Sequence, residues 1–128
     1  MIEELADYLQ TSGIGTVGTD IFISELPFNK TDIIAIHATV SPDPDKAVPF
    51  YVQVVDITAR FSQYKEGYDK LKSIFDLLHQ KVHYEMGENH IYLSYAMGMP
   101  VDNDRDAERR HLLQLTMAFI YRINEDFS

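Results

Sequence analysis

The stretch His111-Leu-Leu-Gln-Leu-Thr-Met-Ala-Phe-Ile-Tyr-Arg-Ile123 alternates along its whole length. Leu113, Leu115, Met117, Phe119, Tyr121 and Ile123 fall on one side, with Gln114, Thr116 and Arg122 on the other. A period of two is that of a β-strand with one buried face. A strand this long needs neighbours. Upstream, His90–Met99 sets Ile91, Leu93, Tyr95, Met97 and Met99 on one face, and the two runs are expected to pair as antiparallel neighbours. The connection, Gly98-Met-Pro-Val-Asp-Asn-Asp-Arg-Asp-Ala-Glu-Arg109, is polar and longer than a hairpin requires, so it reads as a loop that is functional or mobile.

Further toward the N-terminus, Phe50–Arg60 reads as a strand with both faces partly apolar, one side meeting a helix and the other a neighbour. In Tyr64–Val82 the period changes: Tyr64, Tyr68, Leu71, Phe75, Leu78 and Val82 step by four and three, the apolar stripe of a helix about 28 Å long. Lys65–Asp69, Glu66–Lys70 and Lys72–Asp76 stand at i,i+4 on its outer side, and Ser62 is the expected cap. Ser41–Pro49 holds three prolines in nine residues, which block both a helix and a sheet ladder. Asp20–Leu26 and Ile33–Thr39 are β-rich, and Ile2, Leu5, Ala6 and Leu9 mark a short amphipathic opening helix stopped at Gly13. The order is α-β-β-β-α-β-β: a single α+β domain over residues 1–128, mainly an antiparallel sheet with one long helix packed on it and a short N-terminal helix.

The 128 residues and 14.8 kDa suit one core. Hydrophobic content of 45% and charged content of 24% are ordinary globular values, which disfavours disorder. No apolar run approaches the ~20 residues that cross a bilayer, and the acidic start Met1-Ile-Glu-Glu4 is unlike a secretion signal, so a cytosolic origin and no membrane partner are expected. Zero cysteines exclude disulfides, thiolate zinc sites and cysteine nucleophiles. A net charge of −9, with Arg109-Arg110 as the one adjacent basic pair, opposes tight binding to a phosphate backbone.

The motifs that carry chemistry are incomplete. Gly13-Ile-Gly15-Thr-Val-Gly18 spells a dinucleotide fingerprint, but it follows a helix and precedes a strand, the reverse of the order that aims a helix N-terminus at phosphate. It reads as a connector. His79 and His83 stand at i,i+4 of the expected helix without the glutamate of a zinc-protease motif. Asp102, Asp104 and Asp106 match the first ligands of a calcium loop, yet Ala107 and Leu113 occupy the positions that need glycine and glutamate. No nucleophile elbow or phosphate loop appears, so no catalytic residue, metal or cofactor is expected, and the chain is read as a non-enzyme.

Three blocks together carry a resemblance. They are the opening helix followed by Gly18-Thr-Asp-Ile-Phe-Ile23 and Leu26-Pro27; the proline-flanked loop leading to Val52-Gln-Val54, with Arg60 and Tyr64 running into the long helix; and Gly98-Met-Pro100 with an Asp/Arg-rich loop, Arg110-His111 and the terminal strand. This arrangement resembles the minor capsid or tail-terminator proteins of long-tailed bacteriophages. The resemblance implies a non-enzymatic virion protein that caps the tail tube as a ring, usually hexameric, and joins it to the head. Its partners would be copies of itself, the tail tube protein and the head-completion or connector proteins. DNA would pass through without specific binding, and the protein would reside at the head–tail junction after assembly in the host cytoplasm. The loops at 41–49 and 98–110 are then the docking segments, with Asp43, Asp45, Lys46, Arg60, Asp102, Asp104, Arg105, Asp106, Arg109 and Arg110 as interface residues. The competing expectations are a dimeric adaptor without a viral role and a small ligand-binding domain or enzyme, whose pocket between helix and sheet would be lined by Tyr68, Phe75, Tyr95 and Met97.

Overall fold

The computed structural model describes residues 1–40 and 50–124. In chain order its elements are α1 (Ile2–Thr11), β1 (Ile21–Ile23), β2 (Ile33–Val40), β3 (Tyr51–Phe61), α2 (Tyr64–Leu78), β4 (Lys81–Met86), β5 (Asn89–Ala96), β6 (Val101–Arg105) and β7 (His111–Ile123). The class is α+β. One sheet runs β1-β2-β3-β7-β5-β4, with β6 pairing the start of β7. Every pairing is antiparallel except that of β1 with β2.

The terminal ladder holds. Leu113, Leu115, Met117, Phe119 and Tyr121 are buried, and β7 pairs with β3 from Phe61↔His111 to Tyr51↔Tyr121. Ile57, Leu115 and Phe119 meet Leu5 and Leu9 of α1 and Leu71, Ile74 and Leu78 of α2 in a single apolar core. At roughly 1.5–3 kcal/mol for each fully buried large aliphatic or aromatic side chain, this layer carries most of the favourable folding free energy.

The expected order lacks two strands that the structure contains. α2 spans 15 residues, about 22 Å, and ends at Leu78. Val82, assigned by its spacing to the helical stripe, lies on β4 and is 56% exposed. Gln80, with φ 57°, turns the chain between the two elements, and Lys81-Val-His-Tyr-Glu-Met86 then has a sheet edge to join. The buried stripe of α2 is also rotated from the expected one: it is Gly67, Leu71, Ile74 and Leu78, while Tyr64 is exposed and Phe75 half-buried. Gly67 explains the rotation. A Cβ there would lie 3.0 Å from Leu113 Cδ1 and 3.2 Å from Phe61 Cβ, so the missing side chain lets α2 settle close on β3 and β7 and brings Ile74 inward. Ser62 is not the cap. Gln63 holds that position, and Ser62 N–H and Oγ–H donate to Asp32 Oδ1.

β6 occupies the segment expected to be a loop. Val101-Asp-Asn-Asp-Arg105 has weak intrinsic strand preference, but β7 extends past β5 and offers unpaired backbone groups, so pairing overrides propensity. In β5 a register shift between Ile91 and Leu93 breaks the alternation: Ile91, Ser94 and Ala96 face the helices, and Leu93 and Tyr95 turn to the other side. Met97 and Met99, expected on the buried face, are exposed beyond the strand end. The loop at 41–49 lies outside the described residues.

Candidate functional site

Both helices pack on the face that carries Ile57 and Leu115, so that among the described residues the opposite face of the sheet has no helix on it. The intervening residues of β3 and β7 point there, and the register sorts them into three bands.

At one end sits an arginine clamp. Arg60 and Arg110 are 4% and 7% exposed. Arg60 donates through Nε and Nη2 to the Lys30 carbonyl (3.2 and 2.7 Å) and through Nη2 to the Pro27 carbonyl. Arg110 Nη1 reaches the Lys30 carbonyl (3.2 Å) and Thr31 Oγ1 (3.1 Å), and its guanidinium lies over the Phe28 ring. Between them is Asp106. Its Oδ1 accepts the N–H groups of Glu108 and Arg110 at 3.0 and 2.9 Å, and its Oδ2 accepts from Arg110 Nε at 2.8 Å. Burial works to raise the Asp106 carboxyl, but these donors outweigh it and hold the pKa below the usual aspartate value. Two cations thus tie the β1–β2 connection and the β6–β7 turn to the sheet.

A polar ladder crosses the middle of the face. Asn103 Nδ2 donates to Gln114 Oε1 (2.6 Å), Gln114 Nε2 to Thr116 Oγ1 (3.4 Å) and Thr116 Oγ1 to Asp56 Oδ1 (2.6 Å), with His37 paired opposite Asp56.

The far end is apolar. Val52 of β3 stands opposite Ile120 of β7, Ile120 opposite Leu93 of β5, and Leu93 opposite Val82 of β4. Val54, Ala118 and Tyr95 make the adjoining row. Val52 is 46% exposed and Val82 56%, so an apolar stripe runs across four strands to the free side of the edge strand β4. Met97 and Met99, in the segment joining β5 to β6, and Val101 at the start of β6 add further exposed apolar surface.

The incomplete motifs have structural roles. Gly13 and Gly18 take φ 84° and 87° in the connector between α1 and β1, which Lys70 Nζ anchors by donating to the Ile14 carbonyl (2.6 Å). His79 lies at the end of α2, where its Nδ1 accepts the Ala96 N–H at 2.9 Å, whereas His83 is on β4. The i,i+4 helical spacing assumed for these two is therefore absent. Asp102 and Asp104 are strand residues of β6, paired with Leu113 and Leu112, and Asp106 is engaged by the clamp. A pocket of Tyr68, Phe75, Tyr95 and Met97 does not form, because Tyr95 stands beside Ala118 on the face away from α2. A cleft of about 380 Å³ beside α2 is lined instead by Gly13, Ile14, Phe61, Glu66, Asp69 and Lys70.

A sheet with a dry, helix-covered face and a banded bare one suits assembly, and comparison with known families agrees. The model of the bacteriophage tail terminator family matches residues 8–123. The chain belongs to that family. Membership makes it a structural protein of phage tails and covers the domain from within α1 to the last residue of β7. No curated protein gives a match.

Of the interface residues expected for such a tail terminator, Asp102, Arg105 and Arg109 are exposed on the β6–β7 hairpin. Arg60 and Arg110 are inside the subunit, where they shape that hairpin instead of presenting charge. Asp43, Asp45 and Lys46 lie outside the described residues. Sequence reasoning missed the Val52–Ile120–Leu93–Val82 stripe, although the apolar residues on both faces of β3 were its visible sign.

Proposed function

We propose that the protein caps the tail tube as a hexameric ring of copies and joins the tail to the head. Family membership supports the tail role. The observation that carries the ring is the apolar stripe, which continues from β3 to the open edge of β4, with Val52 and Val82 at its two ends 46% and 56% exposed. A neighbouring copy is its occupant. Contact between the stripe of one copy and a different surface of the next repeats head to tail, and such heterologous contacts close into a ring when the rotation from copy to copy divides a full turn. The β6–β7 hairpin, with Asp102, Asp104, Arg105, Asp106 and Arg109, contacts the tail tube protein or the head-completion proteins, and Asp43, Asp45 and Lys46, outside the described residues, are assigned to the same contacts. DNA slides through the ring, since a subunit of net charge −9 repels phosphate more than it holds it. The protein acts without catalysis or cofactor, at the head–tail junction of the virion after assembly in the host cytoplasm.

Mass measurement and negative-stain imaging of the purified chain, alone and with tail tubes, test this reading. Six-membered rings seated on tube ends are expected, and cells infected with phage lacking the protein should accumulate filled heads apart from tails of irregular length. A chain that stays monomeric in the presence of tubes overturns the ring.

A further inference from the structure

The β4–β5 hairpin carries a second constellation, beside the apolar stripe that ends at Val82. His83 Nδ1 and His90 Nε2 face each other at 3.5 Å. Two nitrogens bound at about 2.0–2.1 Å to one tetrahedral ion stand about 3.4 Å apart, so an ion fits between them with little movement. The surroundings fix the rings. Glu85 Oε2 lies 2.5 Å from His90 Nδ1 while Glu85 Oε1 accepts from Asn124 Nδ2 at 2.9 Å, so both carboxylate oxygens are engaged. A carboxylate on the far nitrogen puts the proton on His90 Nδ1, so the Nε2 lone pair points at His83 and accepts from its Nδ1–H, the proton that a metal ion bridging the two rings displaces. The Tyr92 ring stands edge-on to both imidazoles, with centroids 6.1 Å from His83 and 5.1 Å from His90. His83 itself has φ 50°, a left-handed conformation costing of order 1 kcal/mol or more, and the pairing register skips it between Val82 and Tyr84. That local strain places its ring against His90.

We propose that His83 and His90 form a two-histidine site for a first-row transition metal ion, with Glu85 orienting His90 and water completing the coordination. Two imidazole donors favour copper and nickel over zinc and give no hold on magnesium or calcium, which take oxygen ligands. The bound ion clips β4 to β5 next to Val82 and stiffens the free edge of the sheet. Arg122 stands opposite His90 on β7 and contributes a like charge, so the site is of modest affinity.

Titration of the full chain with copper, nickel and zinc chlorides, followed by calorimetry and by histidine ring NMR, tests the site. One ion per chain is expected, with affinity falling from copper to nickel to zinc. Nickel should broaden the His83 and His90 ring signals before those of His37, His79 and His111. His83→Asn, which keeps a residue tolerant of left-handed φ, and His90→Gln should each weaken binding at least ~10-fold, and Glu85→Gln about 10-fold. Unchanged affinity in the His83→Asn/His90→Gln double variant, broadening of all five histidines together, or no saturable binding overturns the proposal. The NMR result on the unaltered protein decides the matter even if a variant misfolds.

Discussion

The two faces of this sheet are built from neighbouring residues of the same strands and follow opposite rules. On the helix-covered face, Val55, Ile57 and Ala59 of β3 are fully buried against residues of α1, α2 and β7. On the bare face the same strand presents Val52 and Val54, then Asp56 and Thr58, then Arg60, so apolar, polar and cationic groups follow in order along it. The first face is mainly apolar because folding needs burial, and polar groups such as Gln53 and Ser94 enter it only where they are buried. A graded face has no such use within the subunit, and its apolar band runs across β7 and β5 to the open edge at β4, which is where a neighbouring copy is placed by the function proposed above.

The contrast is most sharply tested at its strongest point. Ile74→Ala removes a fully buried side chain from the helix-covered face and should cost about 2–5 kcal/mol in denaturant unfolding, whereas Phe75→Ala, next in sequence but half-buried against His79, should cost clearly less. Equal losses would mean that α2 does not present Gly67, Leu71, Ile74 and Leu78 to the sheet. On the bare face the largest effect belongs to the clamp. Arg60→Ala removes the buried charged donor that the Pro27 and Lys30 carbonyls share and should cost about 2–3 kcal/mol, with faster amide exchange in residues 27–32 and 105–110 than in α2. A loss below ~0.5 kcal/mol would show the clamp to be ornamental.

Legibility in the sequence divides along the same lines. The ladder of β7, the strand β3 and the helix α1 were readable because burial on one face imposes a strict period on residue type. The exit of α2 was not, because Val82 continues a helical spacing by coincidence and the turn depends on Gln80 entering a left-handed conformation that no local residue type announces. Nor was β6, whose five residues are held by the overhang of β7 instead of by their own preference. Among the interface residues, Arg105 and Arg109 look like Arg60 and Arg110 in sequence; only the fold, which brings Lys30 and Asp106 beside the latter pair, buries one set and leaves the other outside. Family resemblance was legible because it is spread over the whole chain, whereas the stripe at Val52, Ile120, Leu93 and Val82 exists only once four strands are in register.

A smaller effect probes where the covered face is polar inside. Ser94 Oγ–H donates to the Leu78 carbonyl at 2.7 Å, so its oxygen accepts the Tyr84 O–H at 2.6 Å, closing a relay between α2, β5 and β4. Tyr84→Phe should cost about 1 kcal/mol. Burial is the main reason the Tyr84 pKa is pushed up to about 12, against its ordinary value near 10. The unfolded chain therefore gives up this proton first as pH rises, and the stabilisation, complete below pH ~10, is lost through pH ~12. Unfolding titrations should show the wild type losing stability over that interval more steeply than Tyr84→Phe. Parallel curves would remove Tyr84 from the buried relay.

The smallest effect on the subunit is the one that separates the two faces most completely. Val52→Thr together with Val82→Thr keeps branching at Cβ and strand preference, and on surfaces about half exposed the pair should change monomer stability by no more than ~0.5 kcal/mol at each site. If a neighbouring copy covers the stripe, each added hydroxyl must be buried without a partner at roughly 1–3 kcal/mol, so the double variant should weaken self-association at least ~10-fold. The same exchange at Val55, fully buried under the helices, should do the reverse, lowering stability by more than 1 kcal/mol and affecting association only through the fraction folded. Sedimentation across a concentration series, with thermal melts of the same samples, reads both quantities. A Val52→Thr/Val82→Thr protein that associates as well as the wild type would free the stripe from any role between copies and leave the β6–β7 hairpin as the surface on which a ring must be built.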